Sequence, residues 1–231
     1  MKLDLSIIFK KEILLLLLKS YGWTLAITAM ALAIGLVIGT ILAVFMVLPK
    51  NNVINKILNV FARAYLAVIR GTPVLVQLMI ICFVIFADVI FFNRQVSPYI
   101  VATIGFGINS GAYVAEIMRA GIMSVDVGQM EAGRSLGLSY GTTMWKVILP
   151  QSAKNILPPL GNEAIALVKE TSVALIIGVT EFFTAIKGIV NTSYNVLTPY
   201  LFAAIVYFIT VYVMTFLLKL LERRLSKSDR T

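Results

Sequence analysis

Apolar residues occur along this chain in long blocks that contain no charged residue. The charge-free blocks are residues 20–49, 71–87, 95–115 and 188–218. About 17 to 25 predominantly apolar residues cross a bilayer as an α-helix, so each block predicts a membrane span. Residues 155–180 predict a further span, although Glu163, Lys169 and Glu170 interrupt them. The pattern therefore predicts an all-α integral membrane protein with five transmembrane helices.

Two segments next to these blocks mix apolar and charged positions. Residues 1–19 contain an apolar run that is too short for another span, so we expect an amphipathic segment at the membrane interface. Residues 54–69 carry Lys56 and Arg63 and lead to Pro73. We expect an interfacial helix that bends at Pro73 and continues into the bilayer. The predicted divisions are thus an amphipathic segment (1–19), a transmembrane domain (20–222) and a tail (223–231).

Composition supports a membrane protein and excludes several kinds of site. Hydrophobic residues make up 59% of the 231 residues and charged residues only 13%, which is too apolar for a soluble domain. The chain has no histidine and a single cysteine, Cys82, so a histidine-based metal site and an intrachain disulfide are excluded. The net charge is +9, but the basic residues form no stripe along the chain, so we expect no nucleic-acid partner.

The basic residues instead predict the orientation of the chain in the membrane. Thirteen of them fall in the first connection, the third connection and the tail, whereas the second and fourth connections hold only Arg94 and Lys187. Because short cytoplasmic loops collect lysine and arginine, the C-terminus is expected in the cytoplasm. With five spans, the N-terminus is then expected outside.

Small residues recur in the first and third predicted spans and favour close helix packing within the subunit. They are Gly35 and Gly39 in the first span, and Gly105, Gly107 and Gly111 in the third.

The third connection, residues 121–154, carries a spaced motif. Glu131, Ala132 and Gly133 are followed after three residues by Gly137, and Val147-x-Leu149-Pro150 comes after nine more. We expect a short helix with Glu131 in its first turn, where the helix dipole favours a carboxylate. Gly137 should end this helix in a left-handed conformation. We expect the chain to reverse direction before the next span, with a joint at Pro150.

This spacing resembles the EAA loop of bacterial ABC importer permeases, Glu-Ala-Ala-x3-Gly-x9-Ile-x-Leu-Pro. The chain departs from it at Gly133, where the pattern has alanine, and at Val147, where it has isoleucine. Further motifs are similar to those of the polar amino acid permease family. They are Arg70-Gly71-Thr72-Pro73 with Leu75-Val76-Gln77, Ala112-Tyr113-x2-Glu116-Ile117-x-Arg119-Ala120-Gly121-Ile122, Leu157-Pro158-Pro159-Leu160-Gly161-Asn162-Glu163, and Lys169-Glu170-Thr171-Ser172. Together these motifs cover about residues 54–179.

The resemblance implies the type I importer fold and a multi-subunit complex in the bacterial cytoplasmic (inner) membrane. It implies a second permease subunit, identical or homologous, two ATPase subunits and an external amino-acid-binding protein, with membrane lipid around the spans. The chain contains no Gly-x4-Gly-Lys-Ser/Thr phosphate loop, so ATP and Mg²⁺ are expected on the partner ATPase and no enzymatic activity on this chain. The residues expected to couple to the ATPase are Glu131, Ala132, Gly133, Arg134, Gly137 and Leu138.

Polar residues in the fifth apolar stretch predict a solute pathway. Spaced at helical intervals, Asn162, Glu163, Lys169 and Glu170 fall within one arc of about 120°. Because an unpaired charge facing lipid is costly, we expect this face to point into the protein. This face offers groups for both ends of a zwitterionic solute. For Lys169 and Glu170, the alternative is that they pair with neighbouring helices. Ser110 and Tyr113 of the third span are candidate partners across the bundle.

Glu116 and Arg119, three residues apart, are expected to neutralise each other near the cytoplasmic end of the third span, with Arg70 in the same region. We do not expect them to bind solute.

Other functions explain less of the sequence. A permease for another small solute stays open, and among amino acids the candidates are neutral amides, acidic or cationic amino acids, and cystine. An ion-coupled secondary transporter predicts inverted repeats, which are not found, and leaves the 131–150 motif unexplained. An intramembrane enzyme lacks a histidine or a catalytic aspartate pair.

Overall fold

All regular elements in the described part of the chain are helical. The computed structural model describes residues 3–86 and 96–227. The α-helices are α1 (Lys11–Val47), α2 (Val53–Arg70), α3 (Val74–Ile80), α4 (Pro98–Met123), α5 (Val127–Ser135), α6 (Tyr140–Thr143), α7 (Leu149–Glu170), α8 (Phe182–Ser193) and α9 (Leu197–Lys227). Short 3₁₀ segments occupy Leu5–Ile7 and Thr171–Ile177, and π-helical turns occupy Ile81–Ile85 and Met144–Ile148. The predicted all-α class is confirmed.

Five membrane spans are available if two bent helix pairs each count as one. Among the described residues, three single helices, α1, α4 and α9, are long and apolar enough to cross a bilayer. The bent pairs are α2 with Val74–Ile85, at 103°, and Tyr140–Ile177 with α8, at 54°. The spans therefore fall near the predicted blocks. Arg94, the only basic residue expected in the second connection, lies outside the described residues.

Two predicted boundaries need correction. No boundary lies at residue 19, because α1 begins at Lys11 and continues without a break to Val47. At about 1.5 Å per residue, its 37 residues extend about 55 Å, so Lys11 and Lys19 can lie outside a hydrocarbon core about 30 Å thick. The last span begins at Leu197 rather than near residue 188, since residues 188–193 belong to α8. Residues 188–218 contain no charged residue, so the charge pattern did not indicate the turn between α8 and α9.

The bend between α2 and α3 occurs at Pro73, as predicted, and a side chain stabilises it. The Gln77 amide nitrogen donates to the Ile69 and Thr72 carbonyl oxygens, at 2.7 and 3.1 Å. These carbonyls lose helical partners where Pro73 interrupts the backbone, and unpaired polar groups are costly in a membrane. The Gln77 oxygen accepts a 2.9 Å hydrogen bond from the Asn109 side chain of α4. Gln77 therefore ties the bend to the central helix.

Glycines bring α1 and α4 into close contact, which confirms the predicted packing within one subunit. A Cβ at Gly35 would lie 2.8 Å from Ser110 Oγ, and one at Gly107 would lie 2.6 Å from Ile34 Cγ2. Lipid tails provide no hydrophobic driving force between helices, so close packing of this kind holds membrane helices together. The contact fixes α4, the most buried of the three long helices, against α1.

Gly39→Ala should destabilise the contact between α1 and α4 more than the same substitution at a glycine of α1 that has free space around it. The new Cβ would lie 2.5 Å from Val114 Cγ1 and 2.9 Å from the Ala115 backbone nitrogen, which cannot rotate away. Overpacking of this kind costs about 1–3 kcal/mol. We expect a lower midpoint of thermal unfolding in detergent. Gly22→Ala, in the same helix with no atom within 4 Å of the new Cβ, is the matched control, and an equal loss there would contradict the explanation.

Glu181 joins α8 to α1 inside the bundle, a role that the sequence did not indicate. Its side chain is fully buried. The carboxylate accepts hydrogen bonds from the Phe183 and Thr184 backbone N–H groups, at 2.9 and 2.7 Å, and from Thr24 Oγ1 of α1 at 3.2 Å. Glu181 thus caps α8 at the 54° bend and fixes its direction.

Candidate functional site

The 131–138 motif forms a compact helical turn in the third connection. Asp126 caps α5, and its side chain accepts a 2.6 Å hydrogen bond from the Gly128 N–H. Glu131 is the fifth residue of this nine-residue helix, so the expectation that it leads the helix is wrong. The capping aspartate fills that role, because its short side chain reaches the free N–H groups of the first turn. Glu131 is left exposed to solvent.

The helix ends at Gly137 as predicted. Gly137 has a φ of +80°, in the left-handed region that other residues adopt with difficulty. Its N–H donates to the Arg134 carbonyl at 3.0 Å, and the Leu138 N–H donates to the Gly133 carbonyl at 3.1 Å. This is the double hydrogen-bond pattern of a Schellman helix end. The Arg134 guanidinium closes the turn with a 2.9 Å hydrogen bond to the Leu138 carbonyl.

Gly133, the departure from the alanine of the motif, is the point at which α5 touches α6. A Cβ at this position would lie 2.5 Å from Thr143 Cγ2 and 2.8 Å from Thr143 Oγ1. Thr143 is fully buried, and its hydroxyl donates to the Ser139 carbonyl at 3.0 Å. A β-branched side chain held in this way has little freedom to move aside. Glycine at position 133 is therefore matched to threonine at position 143.

The turn also presents large apolar groups to its surroundings. Leu136 is 81% exposed and Trp145 is 73% exposed, and Glu131 and Ala132 are also exposed. Exposed aromatic and aliphatic side chains on a rigid helical turn are typical of a protein-binding surface. Leu136 and Trp145 do not belong to the motif, so the motif did not point to them; their apolar character in a polar connection was the available signal in the sequence.

The helical path does not break at Pro150, where we predicted a joint. The chain reverses between α5 and α6, and the helical path then continues from Tyr140 to Ile177. The π-helical turn Met144–Ile148 precedes Pro150, and the Leu149 N–H donates to the Met144 carbonyl. This wider turn accommodates the proline ring and its missing N–H, which would disrupt a regular helix. Residues 127–148, which comprise α5, the chain reversal, α6 and the π-helical turn, are called the α5–α6 turn below. This segment is therefore connected directly to α7.

On α7, the structure brings Glu163 and Ser110 together. The Ser110 hydroxyl donates a 2.7 Å hydrogen bond to Glu163 Oε1. Ser110 is fully buried next to Gly35, whereas Glu163 is half-buried. The predicted partnership across the bundle is confirmed, and the absence of a Cβ on Gly35 makes room for the hydroxyl.

The other predicted pathway residues lie on the same helix but differ in exposure. Asn162 and Lys169 are exposed, and Glu170 is half-buried. Seven residues correspond to about two helical turns, so Glu170 follows Glu163 along one line and Lys169 follows Asn162 along the adjacent line. Tyr113 is separate from this face: the Arg70 guanidinium carbon lies 5.5 Å from the centre of its ring.

Arg70 also reaches Glu116, which has a closer partner in Arg119. The Arg119 Nη2 to Glu116 Oε1 distance is 2.6 Å, and the Arg70 Nη1 to Glu116 Oε2 distance is 3.9 Å. The predicted neutralisation of Glu116 by Arg119 is confirmed. These residues lie apart from the Ser110–Glu163 contact, which joins α4 to α7.

Comparison with known proteins gives consistent matches over most of the chain. Residues 35–227 match the family described as binding-protein-dependent transport system inner membrane component. The arginine transport system permease protein ArtQ of Bacillus subtilis is 37% identical over 205 residues, which is 89% of this chain and 92% of that protein. The glutamine transport system permease protein GlnP of Escherichia coli K12 is 39% identical over 210 residues, 91% of this chain and 93% of that protein.

Solved structures agree with the sequence matches. A crystal structure of an amino acid ABC transporter with histidines has a chain with a TM-score of 0.85 and 36% sequence identity, covering 97% of this chain and all of the other. A chain of the MetNI methionine ABC transporter, at 20% identity and a TM-score of 0.78 over 94% of this chain, shares the fold.

Proposed function

The chain belongs to the family of binding-protein-dependent transport system inner membrane components, and from this premise we propose that it imports a polar amino acid. In this proposal the chain is the permease subunit of a complex with two ATPase subunits, a second permease subunit and an external binding protein. ATP and Mg²⁺ bind to the ATPase subunits. The observation that carries the solute class is the similarity, over about nine tenths of the chain, to permeases named for arginine and glutamine.

The orientation of the chain follows from charge and one contact. We place the α5–α6 turn and the C-terminus in the cytoplasm of a bacterial cell, because the first connection, the third connection and the tail together carry thirteen of the 20 lysine and arginine residues. The Asp4 N–H donates a 3.0 Å hydrogen bond to Thr198 Oγ1, so the N-terminal segment lies beside the start of α9. This contact supports an N-terminus on the side opposite to the end of α9, as an odd number of spans requires.

Coupling to the ATPase uses the α5–α6 turn as a rigid contact. Glu131 and Arg134 provide charged groups, Ala132 provides a small exposed surface, and Leu136 and Trp145 provide apolar anchors. The Schellman end at Gly137 and the Gly133–Thr143 contact hold α5 against α6. Because α6 is continuous with α7, a displacement at Thr143 is transmitted along the helix to Glu163, about 30 Å away at 1.5 Å per residue.

Solute handling is assigned to the polar face of α7. Glu163, positioned by Ser110, offers a carboxylate for a solute ammonium, and Asn162 and Lys169 offer groups for a solute carboxylate. These groups match both charges of an amino acid. They do not distinguish a cationic side chain from a neutral amide, since every amino acid has the same zwitterionic end.

Reconstitution tests the proposed function directly. The chain should be expressed with the ATPase and binding protein encoded beside it, placed in lipid nanodiscs, and assayed for ATP hydrolysis with a panel of amino acids. We expect hydrolysis to rise only when the binding protein and one polar amino acid are both present. If the ATPase copurifies and another small solute, but no amino acid, stimulates ATP hydrolysis, the permease assignment stands and an amino acid is rejected as the solute. Failure of any ATPase to copurify would reject the coupling assignment.

A further inference from the structure

A polar cavity in the described part of the chain lies away from the Ser110–Glu163 contact. It has a volume of about 450 Å³ and lies between the end of α1, α2 and the last turns of α4. Its lining includes Arg63, Arg70, Arg119 and Glu116, with Met46 and Leu66 as apolar walls. The coupling and solute-handling assignments above do not use this cavity.

The cavity carries an excess of positive charge. Three guanidinium groups line it with one carboxylate, and Arg119 holds that carboxylate at 2.6 Å. Arg63 makes a 3.0 Å hydrogen bond from Nε to the neutral Asn59 Oδ1, and within the described residues no carboxylate forms an ion pair with it. Arg63 and Arg70 are exposed, so their charges are available to a ligand. The chemistry favours an anion that accepts several hydrogen bonds, such as a phosphate group.

Helix α2 supplies Arg63 and Arg70, and its basic, buried and exposed apolar residues lie on separate sides. Lys56, Arg63 and Arg70 are seven residues apart and form one basic line along α2. On one side of this line lie the buried residues Asn59, Ala62 and Leu66. On the other side lies an exposed apolar face that includes Val53, Ile57, Val60, Phe61 and Val68, each between 58% and 70% exposed. The basic line therefore separates the protein-facing side from a face suited to hydrocarbon.

We propose that this cavity binds the phosphodiester headgroup of an anionic phospholipid from the cytoplasmic leaflet. Arg63 and Arg70 donate hydrogen bonds to the phosphate oxygens, and Arg119 adds positive charge while it stays paired with Glu116. The acyl chains lie along the exposed apolar face of α2. An amphipathic helix with basic residues at its edge binds anionic membrane surfaces by the same combination of apolar burial and charge. The cytoplasmic side follows from the distribution of basic residues, and the inference does not depend on which solute is transported.

Native mass spectrometry of the full-length chain in detergent tests the proposal. Phosphatidylglycerol and phosphatidylcholine with identical acyl chains should be titrated separately. We expect one phosphatidylglycerol to bind at concentrations at which phosphatidylcholine does not. Arg63→Gln and Arg70→Gln should each weaken this binding by about fivefold, the scale of one basic residue at an anionic surface. Lys56→Gln, which removes the same charge from the same line but outside the cavity, should change it by less than about twofold.

Each other result overturns the proposal. Equal losses for all three variants indicate general attraction to the basic helix and no site in the cavity. Equal binding of the two lipids removes the anion requirement. Displacement of phosphatidylglycerol by millimolar inorganic phosphate or by free amino acids identifies a site for a small anion rather than for a lipid. Arg63 is exposed, so its replacement should leave the chain folded, and an unchanged unfolding midpoint confirms this.

Discussion

Gly133→Ala should reduce solute uptake by about tenfold or more while the chain still inserts and assembles. The new Cβ would lie 2.5 Å from Cγ2 of the buried Thr143, so α5 must move away from α6. Overpacking costs about 1–3 kcal/mol, and about 1.4 kcal/mol corresponds to a factor of ten in an equilibrium. If docking to the ATPase requires the observed angle between α5 and α6, most of that free-energy cost appears as weaker coupling between ATP hydrolysis and solute uptake.

The Gly133→Ala, Thr143→Ala double variant provides the decisive comparison. Removing Thr143 Cγ2 and Oγ1 leaves the threonine Cβ, 3.2 Å from the new methyl group, as the tightest contact. This double variant has the alanine that the EAA pattern shows at position 133, and we expect it to recover most of the uptake. Gly141→Ala, also in this turn but with no atom within 4 Å of its new Cβ, is the control for a helix glycine.

Uptake into proteoliposomes and ATP hydrolysis should be measured on the same preparations. Weaker coupling appears as hydrolysis that no longer responds to solute, together with low uptake. Full activity of the single variant would show that the α5–α6 contact tolerates a methyl group. If Thr143→Ala fails to restore the activity lost in Gly133→Ala, the defect belongs to position 133 itself, for example to its direct contact with the ATPase.

The sequence predicted features that depend on local periodicity or on the conformation of one residue. Charge-free blocks gave the spans, Pro73 gave the bend between α2 and α3, and Gly137 gave the left-handed helix end. Each is dictated within a few residues: apolar length sets a span, a proline ring prevents a regular helix, and a positive φ favours glycine. Seven-residue spacing likewise placed Glu163 and Glu170 on one side of α7.

Features that depend on distant contacts were missed. The match between Gly133 and Thr143 joins two helices across a chain reversal, and nothing near Gly133 in the sequence shows which side chain it will face. The buried role of Glu181 depends on Thr24, which lies 157 residues earlier in the chain. The continuity of the helix through Pro150 required a π-helical turn, and periodicity does not predict such turns.

Glu163→Gln should lower the apparent affinity for solute in uptake by about tenfold or more, with normal expression and stability. The amide keeps the shape of the side chain and an oxygen that can accept from Ser110 Oγ, which lies 2.7 Å from Oε1. It loses the negative charge, and a hydrogen bond to a charged group is worth about 1.5–3 kcal/mol. Transport kinetics in proteoliposomes, with the binding protein in excess, would measure the change.

Ser110→Ala separates a role in solute binding from a role in packing. It deletes the hydroxyl but keeps the Glu163 charge, and it adds no atom near Gly35. If Glu163 only fastens α7 to α4, Ser110→Ala should reduce stability and uptake to the same extent as Glu163→Gln or further. If the charge contacts solute, Ser110→Ala should cost less than Glu163→Gln, since a neutral hydrogen bond contributes about 0.5–1.5 kcal/mol.

The choice of solute in this experiment also locates the contact on the amino acid. Every amino acid has an α-ammonium group, whereas only a cationic one has a second positive charge on its side chain. If Glu163 binds the α-ammonium, Glu163→Gln should weaken uptake of arginine and glutamine by the same factor. A loss confined to arginine would place the carboxylate at the side-chain end of the solute, and Glu163 would then determine specificity. Equal uptake of both solutes by Glu163→Gln and wild type would remove Glu163 from the pathway.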